Sequence, residues 1–123
     1  MKAHELFKGI ADPTRLRIAV LLLERELCVC DLMAVLQLPQ STVSRHMGRM
    51  KSAGLVVDRR EDKWVHYCLA ESHMIDDLRK LLRRNLAGAE PFKRDLTVLK
   101  AYVASGKCAL DGRCRTEESS NSG

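Results

Sequence analysis

The sequence predicts a mainly α-helical domain that carries one β-hairpin, and three observations predict it. Apolar residues recur at helical spacing in successive stretches, and Pro, Gly and capping residues punctuate them. Late in the middle third, two β-prone runs stand side by side with only a short polar break between them. The chain has 123 residues, the size of one compact domain. Domains this small often gain buried area by pairing, so a homodimer is expected.

Leu6, Phe7 and Ile10 mark the apolar side of a first short helix. Asp12-Pro13 reads as an N-cap followed by proline at the first helical position. Leu16, Ala19, Val20 and Leu23 then give a second helix. Residues 26–29 read as short and extended. A third helix is expected from about Cys30-Asp31 to Gln37, and residues 37–40, with Pro39 among them, form a tight turn. Ser41 is expected to cap a fourth helix over 42–53, stopped by Gly54. The hairpin pairs 55–59 with 63–69 around Arg60-Glu61-Asp62. Ile75, Leu78, Leu81, Leu82 and Leu86 stripe a fifth helix that Gly88 ends. Pro91 opens a last helical stretch with Leu96, Leu99 and Val103. Residues 1–105 are thus read as one domain and 106–123 as a flexible, cysteine-containing tail, with 116–123 disordered for want of apolar residues.

The net charge is +5, and its placement matters more than its size. Basic and acidic residues balance up to position 40. No Asp or Glu then appears between Asp31 and Asp58, while Arg45, Arg49 and Lys51 do. A basic stripe of this kind suits a polyanion, because each phosphate neutralised releases condensed counterions. No segment resembles a secretory signal. The longest apolar run, 18–23, falls far short of the ~18 residues that a membrane span needs. A cytoplasmic protein without a membrane partner is expected.

Helix, turn, helix and hairpin, in that order, make a winged helix-turn-helix. On the fourth helix Val43, Met47 and Met50 fall on one face and pack inward. Gln40, Ser41, Thr42, Ser44, Arg45, His46, Arg49 and Lys51 are left to face a DNA groove. Small hydroxyls let the backbone approach phosphates, and longer side chains reach base edges. Arg59, Arg60 and Lys63 at the hairpin tip are placed to grip the backbone beside the groove.

Five cysteines, Cys28, Cys30, Cys68, Cys108 and Cys114, are an odd number, and their spacing does not resemble the dense disulfide framework of a small secreted domain. As thiols they are soft ligands or redox switches. On an extended backbone Cys28 and Cys30 project to one side and can point at one ion. Cys30 also stands where a capping residue would, and the helix dipole favours thiolate there. Two small, half-buried apolar residues would suit the same place equally well. Cys68 reads as a strand residue.

Ala11-Asp12-Pro13-Thr14-Arg15-Leu16-Arg17-Ile18, Glu26-Leu27-Cys28-Val29-Cys30-Asp31-Leu32, Gln40-Ser41-Thr42-Val43-Ser44-Arg45-His46-Met47 and Lys63-Trp64-Val65-His66-Tyr67 resemble the ArsR/SmtB family of metalloregulatory repressors, in its arsenite-responsive form. The resemblance runs over about residues 3–105. It implies a homodimeric repressor on double-stranded, partly palindromic operator DNA, released when an inducer binds. It implies a dimer interface built from about 3–10 and 74–86. It also decides between the two readings of Cys28 and Cys30, in favour of ligands for As(III). Sb(III), Cd and Pb are the alternative ions.

One position departs from that pattern. Where such proteins often carry a third cysteine, three residues after the second, this chain has Met33. Trivalent arsenic favours three sulfurs, so Cys108 and Cys114 become candidate metal ligands. A thiol-redox trigger is an alternative, although a Cys-X-Cys disulfide is strained. A zinc site on the last helices would rest on His73, Asp76 and Asp77 with no second His, which is thin. No nucleophile has an evident orienting base in the sequence, and catalysis is not expected. No organic cofactor is implied.

Overall fold

A computed structural model describes residues 3–107. In chain order the elements are α1 (Ala3–Ile10), α2 (Pro13–Leu22), β1 (Leu27–Cys28), α3 (Val29–Leu36), α4 (Gln40–Ser52), β2 (Val56–Glu61), β3 (Trp64–Leu69), α5 (His73–Asn85) and α6 (Phe92–Ala104). The expected mainly helical domain with a hairpin is what folds, with one addition. The extended stretch before α3 is a true strand, so the sheet has three strands in the order β1-β3-β2, all antiparallel.

Local chemistry explains most boundaries. Asp12 caps α2 as expected: its carboxylate accepts from the Thr14 and Arg15 amides at 2.9 and 3.1 Å. α3 closes on Gln37 in the left-handed region, at φ 58°, with its amide on the Met33 carbonyl. α4 begins two residues before the expected start. Pro39, fixed in extended backbone, precedes it without a side-chain cap, so Ser41 lies inside the helix rather than capping it. Gly54, at φ 84°, ends α4 while the Leu55 amide returns to the Met50 carbonyl at 2.9 Å. The hairpin is longer than expected: Glu61 pairs with Trp64, so the turn is Asp62-Lys63, with Asp62 at φ 56°.

The core gathers Leu6, Ile18, Leu21, Leu32, Met47, Met50, Leu55, Leu69, Ile75 and Leu82, all essentially inaccessible to solvent. Burying each such side chain stabilises the fold by about 1.5–3 kcal/mol before entropy is counted. Two contacts position the rest. Gly9 on α1 lies so close to Ala53, at the end of α4, that an added Cβ would overlap the Ala53 Cβ. α6 is tied to α2 by a bidentate Arg17–Asp95 ion pair, 2.8 and 2.9 Å, with the Asp95 side chain buried. Such fork-to-carboxylate pairs are the geometrically specific ones.

Candidate nucleic-acid interface and thiol site

α4 presents two faces. Val43, His46, Met47 and Met50 are buried, while Gln40, Ser41, Ser44, Arg45, Gly48 and Arg49 are exposed and Thr42 is half-buried. A cleft of about 600 Å³ runs between α1 and α4, lined by Lys8, Arg15, Arg45, Gly48 and Arg49 among others. Lys8 and Arg15 were not expected in this basic cleft. α2 brings Arg15 there by hydrogen bonds from its guanidinium to the Gly9 and Lys8 carbonyls.

His46 is turned away from the surface expected for it. It is 8 % exposed, with Nδ1 3.1 Å from the Arg15 guanidinium and 3.9 Å from an Asp12 oxygen. Burial lowers its pKa from 6.5, with Arg15, Arg45 and Arg49 pushing the same way and Asp12 opposing. The wing is divided too. Arg60 and Lys63 are exposed. Arg59 instead holds the buried Glu26 through two 3.0 Å bonds and Glu61 through one of 2.7 Å, which fastens β2 to the residue before β1. Lys51 is exposed and pairs with Asp58 at 2.9 Å.

The start of α3 corrects the sequence reading of the two cysteines. Cys28, not Cys30, is the cap. Its sulfur accepts from the Asp31 amide at 3.4 Å, and the Asp31 carboxylate accepts from the Cys28 amide at 3.0 Å, a reciprocal capping box. The carboxylate three residues on selects the cap, and β1 ends at Cys28, so Val29 already belongs to the helix. The strand rule that puts both thiols on one side therefore does not apply. Cys28 is 1 % exposed, and Cys30 is exposed. Burial first, and then the Asp31 carboxylate and the neighbouring Cys30, push the Cys28 thiol up to about 12 against the lowering pull of the Asp31 amide. Cys28 is a thiol at rest, not the thiolate expected of a helix-capping cysteine. Cys30 opens onto a surface depression that Met33 also lines.

Asp31 reaches further. Its second oxygen lies 2.8 Å from the Tyr102 hydroxyl on α6, which is also 3.2 Å from the Lys107 carbonyl. Cys68 is buried on β3 with its sulfur 3.7 Å from Glu26. His66, two residues earlier on the same strand face, stands directly opposite Cys28 on β1 and Arg59 on β2. It is 1 % exposed, and neither ring nitrogen has a hydrogen-bond partner among the described residues. Burial holds its pKa below 6.5, so the imidazole is neutral. Sequence reading passed over His66; the one available signal was the period-two alternation that pairs it with Cys68. Among the described residues, no three His, Cys, Asp or Glu side chains stand close enough together to hold a metal ion. Cys108 and Cys114 lie outside the described residues.

Residues 12–57, from the cap of α2 to the first strand of the wing, match the model of the bacterial regulatory protein, arsR family. An uncharacterized HTH-type transcriptional regulator of Methanocaldococcus jannaschii is 42% identical over 74 residues, which are 59% of this chain and 83% of that protein. The chain belongs to the ArsR family. Within that family of DNA-binding transcriptional regulators, the arsenical resistance operon repressor of Escherichia coli K12 is 51% identical over 67 residues, 54% of this ArsR-family chain and 57% of the relative. The chain thus spans little more than half the length of that curated relative. The fold agrees with the homodimeric winged helix-turn-helix DNA-binding domain of a possible ArsR-family regulator from Mycobacterium bovis, with TM-score 0.60, 26% identity, and 72% of this chain and 84% of that one covered. No helix among the described residues is long and apolar enough to cross a membrane.

Proposed function

We propose that the chain is a homodimeric repressor that binds operator DNA through α4 and the wing and lets go when As(III) binds thiolates at the start of α3. The observation that carries this reading is the join between the two. A cysteine built into the cap of α3 lies one helix and one short turn before the basic, acid-free face of α4. An ion that draws Cys28 and Cys30 together has to disturb the capping box, and α4 follows α3. A coupling of about 1–3 kcal/mol changes DNA affinity roughly 5- to 150-fold. Similarity to an arsenical resistance operon repressor supports arsenite as the inducer. Exposed Phe7 on α1, at 60 %, and Leu81 on α5, at 54 %, support pairing through those helices, since apolar groups of that size in water mark contact surfaces. Gln40, Ser41, Thr42, Ser44, Arg45, Arg49, Arg60 and Lys63 are the proposed DNA contacts. Cys28 and Cys30 are the proposed ligands, with Cys108 or Cys114 as the third sulfur.

The test is release of a fluorescent promoter duplex. Wild type binds it and arsenite frees it; Cys28→Ser and Cys30→Ser bind equally well and stay bound when arsenite is added. Normal release from both variants would sink the thiol reading, and no binding by wild type would sink the repressor reading. The scarcity of sulfur favours a second inducer class. With Met33 beside Cys30, the start of α3 offers two thiols, and Cd and Pb are soft ions that bind thiolates.

A further inference from the structure

A second cleft, of about 460 Å³, opens between the segment that follows α2 and one side of α6, lined by Glu24, Arg25, Leu96, Leu99, Lys100 and Val103. None of these residues is among the proposed DNA contacts or thiol ligands, and none falls in the helices proposed to pair. We propose that the cleft binds a small organic anion, a carboxylate with an apolar body about 10 Å long, whose charge is met by Arg25.

Arg25 is 7 % exposed, and its Nε, sealed from solvent, has no hydrogen-bond partner among the described residues. Two other half-buried arginines are treated differently. Arg17 and Arg59 each grip a buried carboxylate, Asp95 and Glu26, through two bonds. Arg25 stands between Glu24 and Glu26 in sequence, yet both are committed elsewhere, Glu24 to Arg83 at 3.3 Å and Glu26 to Arg59. Asp95, next to Leu96 on α6, belongs to Arg17. A buried cation with no counter-charge is costly, and an anion that enters the cleft supplies one.

The remaining walls set the shape of the guest. Leu96, Leu99 and Val103 form one apolar stripe along α6, and Leu99, at 3 % exposed, is its floor. Seven residues of helix rise about 10 Å, which fixes the length of apolar body that the stripe covers. Lys100, exposed on the same side of α6, adds a second positive charge. Small-molecule sites have this size and make-up, about 300–1,000 Å³ and mostly apolar with a few polar groups. A neutral hydrocarbon would leave Arg25 uncompensated, and a bare inorganic anion would leave the stripe uncovered. A carboxylate on an apolar body answers both. α6 lies beyond residues 12–57 that match the family model, so the apolar wall comes from outside the matched segment.

Octanoate is the probe and octan-1-ol its uncharged counterpart, each titrated into the full chain by calorimetry. Octanoate should bind once per chain and about tenfold or more tighter than octanol, the increment expected of a hydrogen bond to a charged group. Arg25→Met keeps the apolar length and drops the charge, and should abolish that preference. Far-ultraviolet circular dichroism and a denaturation curve check that the variant folds. Lys100→Gln, at an exposed position, should weaken octanoate by less than Arg25→Met does. In wild type, methyl NMR should show Leu96, Leu99 and Val103 shifting with octanoate, a readout that needs no variant. The proposal is overturned by an absence of saturable binding, by equal binding of octanoate and octanol, or by a preference that survives in Arg25→Met. Methyl shifts confined to other residues overturn it too. So do Overhauser contacts to the Val103 methyls, from residues beyond 107 or from a second copy, that octanoate fails to displace.

Discussion

The start of α3 and the outer face of α4 sit within one sequence segment, yet they are built on opposite principles. At the start of α3 the polar groups are buried and cross-linked: Cys28, Asp31 and Tyr102 satisfy one another across strand, helix and a distant helix. On the outer face of α4, Gln40, Ser41, Ser44, Arg45 and Arg49 are exposed. The first region therefore contributes to stability and shape, and the second is available for a partner at little cost to the fold.

Thiol labelling should give the largest contrast. A shift of the Cys28 thiol from 9.0 to about 12 lowers its thiolate fraction about a thousand-fold. Mass spectrometry after brief alkylation at pH 8 should find Cys30 modified and Cys28 intact. Comparable rates at the two would dissolve the distinction between buried cap and open ligand.

Removal of Asp31 comes next. Asp31→Ala strips the acceptor from the buried Cys28 amide and from Tyr102, and should cost about 2–4 kcal/mol in urea unfolding. Arg45→Ala and Arg49→Ala should leave unfolding within about 0.5 kcal/mol of wild type. Each should instead weaken DNA binding by about 1–3 kcal/mol if it reads a base, or lower the salt slope by about one if it meets a phosphate. A destabilised Arg45→Ala with unchanged DNA affinity would reverse the comparison.

The smallest effect is one of pH. His46 is neutral when folded because burial depresses its pKa below 6.5. The unfolded chain then takes up a proton first as pH falls, so stability is complete above about 6.5 and declines below it. Urea midpoints at pH 7.5 and 5.5 should differ in that sense, and His46→Gln should narrow the difference. An unchanged gap in His46→Gln would assign the pH response to other groups, such as His66, which is depressed in the same direction.

What sequence could show follows the range of the forces involved. Asp12 capping α2 and Gly54 ending α4 are decided within a few residues and were legible. The helix order and the wing were legible because apolar period and turn residues are local too. The β1–β3 pairing joins residues near 28 to residues near 66, and nothing in either stretch announces the other. That pairing ends β1 at Cys28, so the helix begins at Val29 and the cap was assigned two residues late. His46 looked like a surface residue because the partner that turns it inward, Arg15, is 31 residues away. Arg59 looked free because Glu26 is 33 residues away. The exposed, polar outer face of α4 was legible; which of the cations around it are already engaged was not.

The contact between Gly9 and Ala53 has a geometric outcome. It leaves no room between α1 and the end of α4, so the two helices travel as one rigid arm. In a pair of chains joined through α1, the distance between the two α4 helices is then set by the angle at the symmetry axis. B-DNA repeats its groove about every 34 Å, which makes the duplex a ruler against which a small rotation at that axis is measured. Gly9→Ala would lengthen or tilt the arm, and a shortened or stretched spacer between half-sites would be the sequence change that restores the match.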